Sequence, residues 1–174
     1  MHAEKRNIVM IGFMGTGKST VGSALADRLG WRFVDTDAAV VEREGRSIPE
    51  LFEEKGETYF RDAETSVLTS VLSGSRQVVS TGGGAVLREA NREAMLGGGF
   101  VVALTAPTEV LLARLRGDSN RPLLAGDKEE RVHRLLAERK NAYDFAHLVI
   151  DTSRSNVRET VESIIERTGL ARRL

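Results

Sequence analysis

The sequence predicts an α/β domain: a five-stranded parallel sheet between two helical layers, α/β/α, with a short lid. Two observations carry that expectation. Short apolar runs alternate with stretches of helical periodicity along the chain, and turn residues collect at their junctions. The runs are continuous rather than alternating, as strands covered on both faces require.

Taken in order, Ile8-Val9-Met10-Ile11 is such a run and reads as the first strand. Gly12 to Gly17 is a turn. Lys18 to Leu29 places Val21, Leu25 and Leu29 at helical spacing and stops at Gly30. Arg32-Phe33-Val34 is a second strand ending in Asp35-Thr36-Asp37, followed by a helix over 38–44 that stops at Gly45. Ser47-Ile48-Pro49-Glu50 has the pattern of a helix cap, with Pro in the first turn and Glu three residues after Ser. A longer helix is expected over 57–72. Val78-Val79 forms the third strand and runs into Ser80-Thr81 and Gly82-Gly83-Gly84. A helix over 88–96 ends in Gly97-Gly98-Gly99, and Phe100 to Leu104 is the fourth strand. Pro107 opens a helix to about 115; residues 116–127 carry Gly117, Pro122 and Gly126 without periodicity and read as the lid. Helix resumes to about 145, Leu148-Val149-Ile150 is the fifth strand, and a last helix covers about 156–167.

Length and composition fit this. The 174 residues suit a single domain over 1–174, and 41% hydrophobic against 29% charged residues is a globular balance. Lys and Arg number 25 and Asp and Glu 25, so no net charge draws the chain to nucleic acid or to an anionic membrane. The absence of cysteine excludes disulfides, thiolate metal sites and Cys nucleophiles and fits a reducing compartment. Ile8 to Met14 follows Lys5 and Arg6, but it is too short for a signal peptide and leads into Gly-Thr-Gly-Lys instead of a cleavage site. No run approaches the ~20 apolar residues of a membrane span. The expectation is a soluble, cytoplasmic protein, monomeric by default. Of the 25 basic residues 20 are Arg, the side chain suited to planar grips on phosphate and carboxylate.

Gly12-Phe13-Met14-Gly15-Thr16-Gly17-Lys18-Ser19 matches G-x-x-x-x-G-K-[ST] between a strand and a helix. Glycines there let backbone N–H groups turn inward around phosphate, and the helix start adds its positive dipole end. In such loops the lysine reaches the β- and γ-phosphates and the hydroxyl ligates Mg²⁺, so Lys18 and Ser19 take those roles and ATP or GTP is the expected ligand.

The acceptor side is less direct. No N-K-x-D guanine reader is present. The third strand ends in Ser80-Thr81-Gly82-Gly83-Gly84 instead of the acid expected of a motor ATPase, and glycines at a strand's carboxyl end let a ligand lie against the backbone. Gly97-Gly98-Gly99 precedes a strand, at the opposite sheet edge, and reads as a helix stop without function. Asp35 and Asp37 follow the second strand, where positions i and i+2 of an extended chain face one way. That divides them between the Mg²⁺ water shell (Asp35) and an acceptor hydroxyl (Asp37); the competing reading makes one of them a helix cap. Arg61 and Arg139 suit bidentate grips on a carboxylate, Arg121 in the lid suits an arginine finger, and Arg114 suits stacking on adenine. Judged alone, each reads first as an ordinary surface arginine.

These residues together resemble the shikimate kinase family over about residues 7–167. The resemblance rests on the phosphate loop through Thr20, on Asp35-Thr36-Asp37, and on Gly56-Glu57-x-x-Phe60-Arg61-x-x-Glu64. It rests also on Ser80 to Gly84, on Arg121-Pro122-Leu123-Leu124, on Glu138-Arg139-x-x-x-Tyr143 and on Asp151-Thr152. It implies a P-loop NTPase fold and transfer of a phosphoryl group from ATP to shikimate with Mg²⁺, within aromatic amino acid biosynthesis. It implies that Gly15, Thr16, Gly17, Lys18, Ser19 and Thr20 hold the ATP phosphates and that Asp35 reaches the metal through water. Asp37 is then the base, in a substrate region over about 37–64. Arg61 and Arg139 hold the carboxylate beside Gly82, Gly83 and Gly84, and Lys18 and Arg121 assist transfer. Arg114 borders adenine, as does Arg154, within Ser153-Arg154-Ser155-Asn156-Val157 where many members carry further Arg and Pro. Two other readings stay open: a kinase of another sugar acid or polyol such as gluconate, and a non-catalytic nucleotide-binding module. His2, His133 and His147 lack partners at ligand spacing, and Trp31 reads as a packing residue.

Overall fold

The computed structural model describes residues 7–116 and 128–170. Five parallel strands lie in the order β2-β3-β1-β4-β5: β1 Asn7–Gly12, β2 Arg32–Asp35, β3 Gln77–Ser80, β4 Gly99–Thr105 and β5 Leu148–Asp151. β1 is central, so the loop after it opens at the middle of the sheet's carboxyl edge, where such sheets bind ligands. Its side chains alternate between two cores. Ile8 and Met10 meet Val21 and Leu25 of α1 (Lys18–Leu29) and Val161 and Ile164 of α7 (Val157–Thr168). Val9 and Ile11 meet Leu68 and Leu72 of α3 (Ile48–Leu72) and Met95 of α4 (Glu89–Gly98).

Two smaller cores carry the site. Phe13 of the phosphate loop packs with Leu111, Leu112 and Leu115 of α5 (Thr108–Arg116) and Val132 of α6 (Lys128–Glu138). Val40 of α2 (Thr36–Glu44) packs with Leu51, Phe60, Ala63 and Val67 of α3.

Several expected boundaries are met. Helix α1 spans Lys18–Leu29 and stops at Gly30, whose φ of 67° only glycine adopts without cost. Ser47 caps α3 by accepting from the Glu50 N–H at 3.2 Å. The two helices expected over 48–72 both form within α3 and meet at Gly56, whose φ of 85° and ψ of 170° are not helical. Trp31 is partly buried against the α1–α7 core. The expected lid and Arg121 fall almost wholly on 117–127, outside the described residues.

Two expectations are corrected. The helix expected from 38 begins at Thr36, because the Asp35 carboxylate caps it there. The helix expected to reach about 145 ends at Glu138. Beyond it Ala142 N–H bonds to Arg139 O, Asp144 N–H to Asn141 O and Ala146 N–H to Tyr143 O. These are i to i−3 turns, tighter than α-helix, and they draw Ala142, Tyr143, Phe145 and Ala146 against the sheet face.

Candidate active site

The phosphate loop runs from the end of β1 into α1. Its turn depends on Gly15 and Gly17 at φ 82° and 98°. Thr16 is buried, its hydroxyl donating to Phe13 O at 2.7 Å. Lys18 Nζ donates to Gly12 O at 2.5 Å and Phe13 O at 3.2 Å, which folds the lysine across the mouth of the loop.

Asp35 serves two purposes with two oxygens. Oδ1 accepts from the Asp37 and Ala38 N–H groups at 2.9 and 3.2 Å, the helix cap. Oδ2 faces Ser19 Oγ at 3.5 Å. The capping and metal-facing readings are thus compatible at this residue. The i, i+2 argument fails, however, since Asp37 stands in the first turn of α2 and not in a strand.

Asp37 still arrives at the triple glycine, and so do both expected arginines. A Cβ on Gly82 would lie 2.8 Å from Asp37 Oδ1; on Gly83, 3.1 Å from Arg139 Nη1; on Gly84, 2.5 Å from Arg61 Nη2. Each absent side chain leaves the room that one functional group occupies. The second triplet contrasts with this: a Cβ on Gly97 meets nothing within 4 Å, and Gly98 and Gly99 abut Leu72 and Asn7.

Arg61 is held by Glu64, one helical turn on, with Nη1 to Oε1 at 2.9 Å. Glu64 is 1% exposed, and its Oε2 has no hydrogen-bond partner among the described residues. Burial pushes this carboxyl above the usual carboxylate range; Arg61 pulls it back and the nearby Asp37 charge adds to the rise. Arg139 lies over the Phe13 ring at 5.8 Å, which ties the surroundings of the glycine triplet to the phosphate loop.

A family model for shikimate kinase matches residues 14–168. The chain belongs to the shikimate kinase family. It is 50% identical over 163 residues to the shikimate kinase of Geobacter sulfurreducens, covering 93% of this chain and 90% of that one. The shikimate kinase of Acinetobacter baumannii, solved in complex with shikimate, superposes at TM-score 0.88 with 39% identity, covering 98% of this chain and 96% of that one. A gluconokinase from Sinorhizobium meliloti superposes at TM-score 0.62 with 19% identity over 96% of this chain and 93% of that one, a likeness of fold alone.

In this shikimate kinase family member Arg114 bonds to the phosphate loop and to Thr152. Nη1 donates to Gly15 O at 2.8 Å and Thr152 Oγ1 at 3.2 Å, while Thr152 Oγ1 donates to Thr16 O at 2.8 Å. That sews the phosphate loop to the end of β5. Arg154 is 87% exposed and lies 3.7 Å from Asp151, whose carboxyl is held below its usual range chiefly by hydrogen bonds from Ser153.

Two residues quoted only as parts of motifs are given no role in the sequence analysis. Glu64 could have been found from its i+3 spacing to Arg61 on a helix. Tyr143, whose hydroxyl donates to Gly83 O at 2.9 Å, stands four residues beyond Arg139, but nothing local points to its partner Gly83.

Proposed function

We propose that this chain transfers the γ-phosphoryl group of ATP to a hydroxyl of shikimate, giving ADP and shikimate 3-phosphate, a step toward chorismate and the aromatic amino acids. The observation that carries the reading is the convergence at the triple glycine: Asp37, Arg139 and Arg61 each lie against one glycine, with the phosphate loop beside the middle one. This supports a pocket for an acid that also bears hydroxyls.

In this reading Arg61 and Arg139 grip the acceptor carboxylate. Asp37 accepts a hydrogen bond from the attacking hydroxyl and takes its proton as the new O–P bond forms. The bond from the γ-phosphorus to its bridging oxygen breaks, and ADP leaves. Gly15, Thr16, Gly17, Ser19 and Thr20 surround the phosphates, and Lys18 exchanges its loop carbonyls for phosphate oxygens. The hard oxygen donors Ser19 Oγ and Asp35 Oδ2 suit Mg²⁺, Asp35 acting through water. Mg²⁺ bound there neutralises charge on the phosphates. Arg121, outside the described residues, is assigned to the phosphates as well, and Arg114 and Arg154 to the adenine side. The reading includes a cytoplasmic monomer whose partners are small molecules. Among the described residues no helix is long and apolar enough to cross a membrane.

The test is ADP release in a coupled assay with shikimate, gluconate and nucleoside monophosphates as acceptors. Release that depends on shikimate is expected. Comparable kcat/KM with gluconate would reassign the acceptor, and no acceptor-dependent release would support a nucleotide-binding module.

A further inference from the structure

Tyr143 lies in the turn after α6, four residues beyond Arg139. Its half-buried ring packs against the sheet-face core that holds Val9, Ile11 and Ala85. Its hydroxyl donates to the Gly83 carbonyl oxygen at 2.9 Å. Arg139 bears on the same hydroxyl, its charge and hydrogen bonding opposing the burial that raises the phenol's pKa.

Gly83 is the meeting point of the two halves of the site. A Cβ on it would lie 3.1 Å from Arg139 Nη1, 3.6 Å from Gly12 O and 3.8 Å from Met14 N. Three successive glycines place no side-chain limit on the rotation of the peptides between them. The Ala85 N–H closes a turn over the triplet by bonding Gly82 O at 3.1 Å, and the Gly83 carbonyl, in the central peptide of that turn, is bonded by a hydroxyl from the turn that carries Arg139.

We propose that Tyr143 is a positioning residue for the acceptor: its hydroxyl fixes the Gly83 peptide and, through it, the aim of the Arg139 guanidinium. This rests on the reading that Arg139 grips the acceptor carboxylate. A side chain that only filled space would act through its ring, which phenylalanine keeps.

The experiment is Tyr143→Phe in the full chain, with steady-state kinetics in both substrates and thermal unfolding. The shikimate KM is expected to rise about tenfold, the effect of losing one hydrogen bond. The ATP KM is expected to stay within twofold of the parent. A shikimate KM within twofold of the parent overturns the proposal, whether or not the melting temperature falls. A parent protein that turns over no shikimate would defeat the acceptor reading and leave the contact to be judged by amide exchange at Gly83 and Gly84 in ligand-free protein. Faster exchange in Tyr143→Phe supports the positioning role, and equal exchange overturns it.

Discussion

Gly84→Ala adds one methyl group directly beneath Arg61. The Gly84 backbone, φ −91° and ψ −2°, is one that alanine adopts without strain, so the perturbation acts through space alone. The new Cβ would lie 2.5 Å from Arg61 Nη2, 2.8 Å from Nη1 and 2.9 Å from Cζ. Relief to ordinary contact requires the guanidinium to move by about 1 Å. That shift moves the guanidinium relative to the buried Glu64 that holds it at 2.9 Å and changes its aim. A displacement of about 1 Å in a group that orients substrate costs on the order of a hundredfold in rate, or roughly 2.7 kcal/mol. Steady-state kinetics should therefore show kcat/KM for shikimate lowered about a hundredfold, with the ATP KM little changed. Gly97→Ala is the matched control: same chemistry, open space around the methyl, a helical position. It should leave both kinetic constants unchanged and stabilise the fold by about 0.5–1 kcal/mol in urea unfolding. A Gly84→Ala protein within about threefold of the parent in acceptor kcat/KM would refute the placement of Arg61 against this glycine.

Arg61→Lys should lower acceptor kcat/KM by about 1.5–3 kcal/mol, because lysine keeps the charge without the planar fork; an unchanged value would return Arg61 to an ordinary helix-surface role. Asp35→Asn keeps a capping oxygen for the Asp37 and Ala38 amides and should keep stability while losing Mg²⁺-dependent turnover. Asp35→Ala should lose both, with about 1 kcal/mol from the cap, and equal stability of the two variants in urea would show that the cap contributes nothing. Glu64 has a folded pKa above its unfolded value, so the stability it contributes is full below the unfolded pKa and is lost as pH rises through the folded one. In urea unfolding between pH 4 and 8, stability of the parent minus that of Glu64→Gln should fall with rising pH. A flat difference would contradict the raised pKa.

What the sequence discloses here is what local chemistry controls. Gly30 and Ser47 mark helix ends because their conformation or hydrogen bond is made within a few residues. Asp35 is harder, since capping and facing a metal both suit a carboxylate at that position, and only the structure shows Oδ1 in the cap and Oδ2 left facing Ser19. The same cap moved the helix start and overturned the strand-based pairing of Asp35 with Asp37. The α6 boundary was misread because its stop comes from tertiary packing: Ala142 to Ala146 leave the helix to reach the sheet. Tyr143 was invisible for a related reason, its partner Gly83 being 60 residues away. The two glycine triplets, alike in composition, were told apart by their place before or after a strand, and their surroundings differ accordingly.

The separation of the two smaller cores bears on how such a protein can change. Phe13 with α5 and α6 steadies the phosphate loop, while Val40, Leu51, Phe60, Ala63 and Val67 hold α2 and α3 together. A substitution among the latter alters the tilt of the helices that carry Asp37 and Arg61 without entering the packing beneath the phosphate loop. On the proposed assignment of Asp37 and Arg61 to the acceptor, its preference can thus drift in single steps, each retaining the phosphate loop on which selection can act. For directed evolution toward other hydroxy acids, diversity is best concentrated in residues 36–72, with the loop at 12–20 left untouched.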